Sequence, residues 1–155
     1  MEPLPSGPLT PAYYLAIHHH LFQDVYEWAG KIRSIRISKG SSAFCYPEYI
    51  DRELIALFAR LAADNELRGL DRTRFAEKAA AFIAELNAIH PFREGNGRTQ
   101  LSFLVVLSER AGHPLDLSRL DPKAILAATI TSFSADSQRL ADIVYDLIEY
   151  HTRRG

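Results

Sequence analysis

Apolar positions along this chain recur mostly at intervals of three and four residues, the mark of helices that bury one face. The first such stretch follows Thr10-Pro11, an N-cap and first-turn pair. It predicts a helix from about Pro11 to Phe22, with Tyr14, Ile17, Leu21 and Val25 on one face. Ile50, Leu54, Leu57, Phe58 and Leu61 predict a second helix from Tyr49 to about Asn65. Asp71 or Thr73 caps a third, with Phe75, Ala79, Phe82, Ile83 and Leu86 inward, and Pro91 stops it after about Ile89. The apolar segment Leu101 to Leu107 reads as a fourth, ended by Gly112 and Pro114. Asp121-Pro122 opens a fifth, to about Phe133, and a last one runs from Asp136 to about His151. The pattern changes to an alternation of apolar and charged residues over Lys31-Ile32-Arg33-Ser34-Ile35-Arg36-Ile37, which reads as a half-buried strand. Lys39-Gly40-Ser41-Ser42 is then a turn and Ala43 to Tyr46 the return strand, ended by Pro47. The expected fold is mainly α, a helical bundle with a single β-hairpin, comprising a flexible lead-in over residues 1–10 and one domain over residues 11–151.

Composition narrows the class without naming a function. With 155 residues the chain fits one domain and buries a real core without staples. A net charge of -1 gives no bulk attraction to nucleic acid or to a membrane surface. Cys45 is alone, which excludes an internal disulfide and a cysteine-based zinc site. The start, Met1-Glu2-Pro3-Leu4-Pro5, lacks the basic and apolar regions of a signal peptide, and no apolar run is long enough to span a membrane. The expectation is a soluble cytoplasmic protein, or one delivered into a host cell if it is an effector.

The chemistry concentrates in the loop His90-Pro91-Phe92-Arg93-Glu94-Gly95-Asn96-Gly97-Arg98. A Gly-Asn-Gly loop that opens a helix suits an anion: glycines let the backbone approach closely and adopt positive φ, and first-turn N–H groups point at the ligand. Arg98 lies in that first turn with a planar fork that suits phosphate, and the Asn96 amide can donate. His90 can accept a proton at neutral pH, and Glu94 is a hard oxygen ligand able to hold Mg²⁺ together with phosphates. Each piece alone has an ordinary reading: a capping histidine, a turn, a surface arginine. Their conjunction is the part list for moving a phosphate-containing group to an acceptor hydroxyl. His18-His19-His20, by contrast, is no metal site, because successive helical residues point about 100° apart.

The loop resembles the signature of the Fic family, His-x-Phe-x-(Asp/Glu)-Gly-Asn-Gly-Arg-x-x-Arg, and matches it at every defined position through Arg98. Ile17-His18 through Ile32-Arg33 resembles the N-terminal part of such domains, and Ser38 to Phe44 resembles the family's flap. The resemblance implies a Fic fold and a protein adenylyl transferase that moves AMP from ATP to a Ser, Thr or Tyr hydroxyl. It implies His90 as general base, Phe92 as a buried anchor and Glu94 as the ligand of Mg²⁺. Gly95, Asn96 and Gly97 would form the anion hole, Arg98 would contact the distal phosphates, and the hairpin from about Lys39 to Tyr46 would dock the target protein by strand addition.

The match stops at position 101, where the signature's final arginine is Leu101. Its loss opens an alternative in which another phosphate-containing group, such as UMP or phosphocholine, is transferred; the ordinary reading is that Leu101 extends an apolar face with Leu104 and Val105. A further alternative is a degenerate domain that binds nucleotide or protein without turnover. The family's inhibitory motif, (Ser/Thr)-x-x-x-Glu-(Gly/Asn), is not found; Thr73 to Lys78 comes near but ends in lysine. The resemblance therefore implies inhibition by a separate small antitoxin, as in Fic toxin–antitoxin pairs.

Overall fold

A computed structural model describes residues 4–39, 42–132 and 137–148. Its helices are α1 (Pro11–Phe22), α2 (Pro47–Ala63), α3 (Arg72–Ile89), α4 (Asn96–Arg110), α5 (Pro122–Ser132) and α6 (Gln138–Leu147). Strands β1 (Ser38–Lys39) and β2 (Ser42–Ala43) pair antiparallel, Ser38 opposite Ala43. The expected endpoints Phe133, Asp136 and His151, and the turn residues Gly40 and Ser41, lie outside the described residues.

Local chemistry sets the helix starts. Thr10 accepts from the Tyr13 N–H at 3.1 Å through its hydroxyl, and Pro11 occupies the first turn, where a missing N–H costs nothing. Asp71 does the same for α3, accepting from the Arg74 N–H at 2.8 Å. Pro47 begins α2 instead of merely ending a strand, so that helix starts two residues earlier than its apolar spacing indicated.

Helix α3 is the central element, in contact with α2, α4, α5 and α6. Its expected inward residues Phe75, Ala79, Phe82, Ile83 and Leu86 are all buried. Tyr14 of α1 joins Phe58, Phe92 and Phe103 in an aromatic cluster with centroids 5.7–6.1 Å from its own. Such pairs add about 0.5–1.5 kcal/mol beyond their burial. This cluster clamps α1 and α4 together behind the His90–Arg98 loop.

Two expectations are corrected. Val25 lies past the end of α1 and is 67% exposed, because the chain turns at Gln23 before it could complete the helical face. Residues 31–37 form no strand, and the hairpin is confined to β1 and β2 with one further bond, from the Phe44 N–H to the Ile37 carbonyl at 3.1 Å. The alternation is inverted there: Arg33 is 3% exposed while Ile35 is 47% exposed. Carbonyls of neighbouring segments, not a partner strand, hold this stretch. The lead-in has no helix or strand over its described residues but is tied down, with Leu9 buried and the Pro5 carbonyl accepting from the Tyr13 hydroxyl at 2.8 Å.

Candidate active site

His90 closes α3 in the left-handed region, at φ 50° and ψ 63°, with its N–H bonded to the Leu86 carbonyl. The pyrrolidine of Pro91 disfavours continuation of the helix at this residue. The His90 ring stacks on Phe44 at 3.7 Å, nearly parallel. Its Nδ1 lies 3.2 Å from the Asn87 carbonyl. A carbonyl can only accept, so Nδ1 carries the hydrogen and Nε2 the lone pair, the tautomer a general base needs.

Asn96 fastens the loop that follows. Its carbonyl oxygen accepts from the Phe92 N–H at 3.1 Å and its amide donates to the Phe92 carbonyl at 2.7 Å. At 3% exposure the side chain clasps the loop with its oxygen and one of its two amide hydrogens. The first bond closing α4 runs from the Thr99 N–H to the Gly95 carbonyl, so the N–H groups of Asn96, Gly97 and Arg98 precede the helical ladder.

The glycines of this loop serve different ends. Gly95 has φ 86°, and a Cβ there would come within 2.5 Å of the Phe22 ring. Gly97 has open space where a Cβ would point, which leaves the backbone approachable from that side. Gly95→Ala should thus destabilise by about 2–4 kcal/mol, the left-handed penalty plus overpacking. Chemical denaturation checks this, and Gly97→Ala should stay within about 1 kcal/mol in the same measurement.

Behind the loop, His18 is fully buried, with its ring 3.7 Å from that of Phe92. The Gly30 N–H donates to Nδ1, so Nε2 carries the hydrogen and donates to the Glu94 carbonyl at 2.9 Å. Both ring nitrogens are satisfied in the neutral form, and burial pushes the imidazole below its ordinary value. In front, the Tyr26 hydroxyl donates to the Glu94 carboxylate at 2.8 Å, and that bond raises the phenol's pKa. The Arg98 guanidinium lies over the Phe22 ring, 5.1 Å from its centroid.

Tyr26, Glu94 and Arg98 line one cavity of about 850 Å³. Phe22, Tyr26, Phe44, His90 and Glu94 to Arg98 face it, and much of the remaining lining is apolar, including Leu101, Leu104, Leu120 and Ile125. The volume falls in the range of small-molecule sites. Glu94 is the cavity's carboxylate, and the described residues hold no cluster of three metal ligands. That donor set fits Mg²⁺ arriving with phosphates and water, not a cage built wholly by protein. Phe22, Tyr26 and Phe44 lie in segments that resemble the family's N-terminal part and flap, but nothing in the sequence marked them as cavity lining. Leu101 faces the cavity instead of sitting wholly in the core.

The Fic/DOC family model matches residues 8–108. This chain belongs to the Fic/DOC family. It is 58% identical over 141 residues to the probable protein adenylyltransferase y4lH of Sinorhizobium fredii, covering 90% of this chain and 73% of that protein. It is 37% identical to the protein adenylyltransferase VbhT of Bartonella schoenbuchensis over 96% of this chain, which spans only 31% of VbhT. Among solved Fic structures, BepC of Bartonella tribocorum with bound AMPPNP superposes with a TM-score of 0.83 at 31% identity, covering 96% of this chain and 78% of that one. A Fic domain of Bartonella quintana with bound ADP gives 0.85 at 33% identity, with coverage of 96% and 76%. Among the described residues no helix is long and apolar enough to cross a membrane.

Proposed function

We propose that this Fic domain is a protein adenylyltransferase, which moves AMP from ATP to a hydroxyl of a protein target. The observation that carries the reading is the cavity itself, where His90 shares one space with the N-terminus of α4, Glu94 and Arg98. The names of the relatives and the adenine nucleotides bound to two neighbours support the same donor.

In this reading His90 Nε2 takes the proton of the acceptor hydroxyl as its oxygen attacks the α-phosphorus. The new O–P bond forms as the bond to the bridging oxygen breaks, and pyrophosphate leaves. The N–H groups of Asn96, Gly97 and Arg98, at the positive end of α4, meet the charge on the phosphate oxygens, and the Arg98 guanidinium meets the leaving group. Glu94 would hold Mg²⁺, which when bound supplies further positive charge against those oxygens. Tyr26 keeps the Glu94 carboxylate in one orientation. The acceptor segment would add to the hairpin edge, which Phe44 links to the His90 ring.

Two labels test the reaction type. Incubation with ATP labelled at the α-phosphate should label protein, whereas ATP labelled at the γ-phosphate should not. Incorporation of the γ-label alone would exclude adenylyl transfer.

One observation favours a second donor. Leu101 lines the cavity where the family signature has an arginine, so less positive charge faces the distal phosphates. A charge-assisted contact is worth about 1.5–3 kcal/mol. Transfer of UMP or phosphocholine would be indicated if UTP or CDP-choline, in equimolar competition, suppressed the ATP label more than unlabelled ATP does.

A further inference from the structure

A buried charge stands next to this site, and the transfer chemistry makes no use of it. Arg33 is 3% exposed. Its guanidinium donates to four main-chain carbonyls: Nε to His90 at 2.7 Å, Nη1 to Ile35 at 2.6 Å, and Nη2 to Cys45 at 2.6 Å and to Ile89 at 3.1 Å. Burying a charge is costly unless its hydrogen-bonding capacity is used, and the flat five-donor fork of arginine suits such a set.

The choice of carbonyls is informative. Ile89 and His90 are the end of α3, the negative pole of that helix. Ile35 precedes β1 and Cys45 follows β2, so the same fork holds both roots of the hairpin. Main-chain bonds reinforce the junction, from the Arg33 N–H to the Pro91 carbonyl at 2.9 Å and from the Cys45 N–H to the Ala88 carbonyl at 3.0 Å. His90 sits in the left-handed region, a conformation that persists in a non-glycine residue only where its surroundings determine it.

We propose that Arg33 is a positioning residue for group transfer: it binds the backbone of His90 and both roots of the hairpin into one unit, so that base and docked acceptor keep a single geometry. The proposal rests on the reading of His90 as the base. The nucleotide half of the loop is held separately, by His18 on the Glu94 carbonyl and by Asn96 on Phe92. Arg33 therefore governs transfer and not nucleotide affinity.

The test is R33K in the full chain. Lysine keeps the charge but offers three donors at one point, which cannot span these carbonyls. With folding verified by circular dichroism, AMPPNP affinity by calorimetry should stay within about twofold, while protein labelling at saturating α-labelled ATP falls by at least about tenfold, as expected for a misplaced base. The ¹⁵N ring signals of His90 should move at the same time. A folded R33K that labels within about twofold of the parent with unmoved His90 signals overturns the proposal, as does an AMPPNP affinity that falls in parallel with the rate. If R33K does not fold, the parent decides: the Arg33 Nε–H must exchange slowly with solvent and show a through-space contact with His90, and fast exchange overturns the assignment. His90→Ala separates the two readings. Parental labelling by that variant removes His90 as base, while the His90 ring signals in R33K still report whether Arg33 places it.

Discussion

Replacing His90 by alanine should lower protein labelling from ATP by roughly 10²–10⁴-fold, the usual contribution of a positioned general base. The fold should survive. The imidazole makes a 3.2 Å hydrogen bond and stacks on Phe44 at the cavity wall. Losing a bond of that kind costs about 0.5–1.5 kcal/mol, or roughly 1–6 °C in Tm for a domain of this size. AMPPNP should still bind, since the N-terminus of α4 and Arg98 are untouched. Labelling rate, melting temperature and calorimetric affinity thus give three different answers for one variant. Equal labelling by parent and variant would end the mechanism, and loss of AMPPNP binding would show that His90 supports the cavity rather than the chemistry.

Phe92→Ala should be the most destabilising change in the loop. The ring is fully buried, stacked on His18 at 3.7 Å and packed against Tyr14 at 5.8 Å. Truncating a buried phenylalanine costs about 3–5 kcal/mol, which is a large share of the roughly 5–15 kcal/mol that holds a domain together. The expected fall in Tm is about 6–20 °C. Activity should be lost even well below the new melting point, because the Phe92 ring fixes His18, which in turn holds Glu94. Phe92→Leu should recover much of the stability and less of the activity. A Phe92→Ala protein melting within about 2 °C of the parent would show that the loop is not anchored through this ring.

The helices were legible because their causes are local. Thr10-Pro11 and Asp71 start α1 and α3 where capping chemistry places them, and Pro91 ends α3 by sterics alone. The hairpin was legible in kind but not in place. Alternation over residues 31–37 is what a strand needs, yet strand formation also needs a partner, and here the carbonyls nearby are taken by Arg33. A side chain that binds groups more than fifty residues away in the sequence leaves no periodic trace.

The same division runs through the site. The sequence by itself determined that a base, a carboxylate, a glycine-rich helix start and an arginine occur together, because all lie in one short loop where spacing in sequence is nearly spacing in space. It also determined that the signature ends at Leu101. Only the tertiary structure decided how that loop is held: His18 under Glu94, Tyr26 over its carboxylate, Arg33 behind His90, and Phe22 against Gly95. It also showed Asn96 as a clasp across the loop. These are contacts between segments remote in sequence, fixed by the packing of α1 against α4 and of α3 against its neighbours. Hydrogen-bond partners at that separation are set by the fold's geometry, which local pattern does not encode.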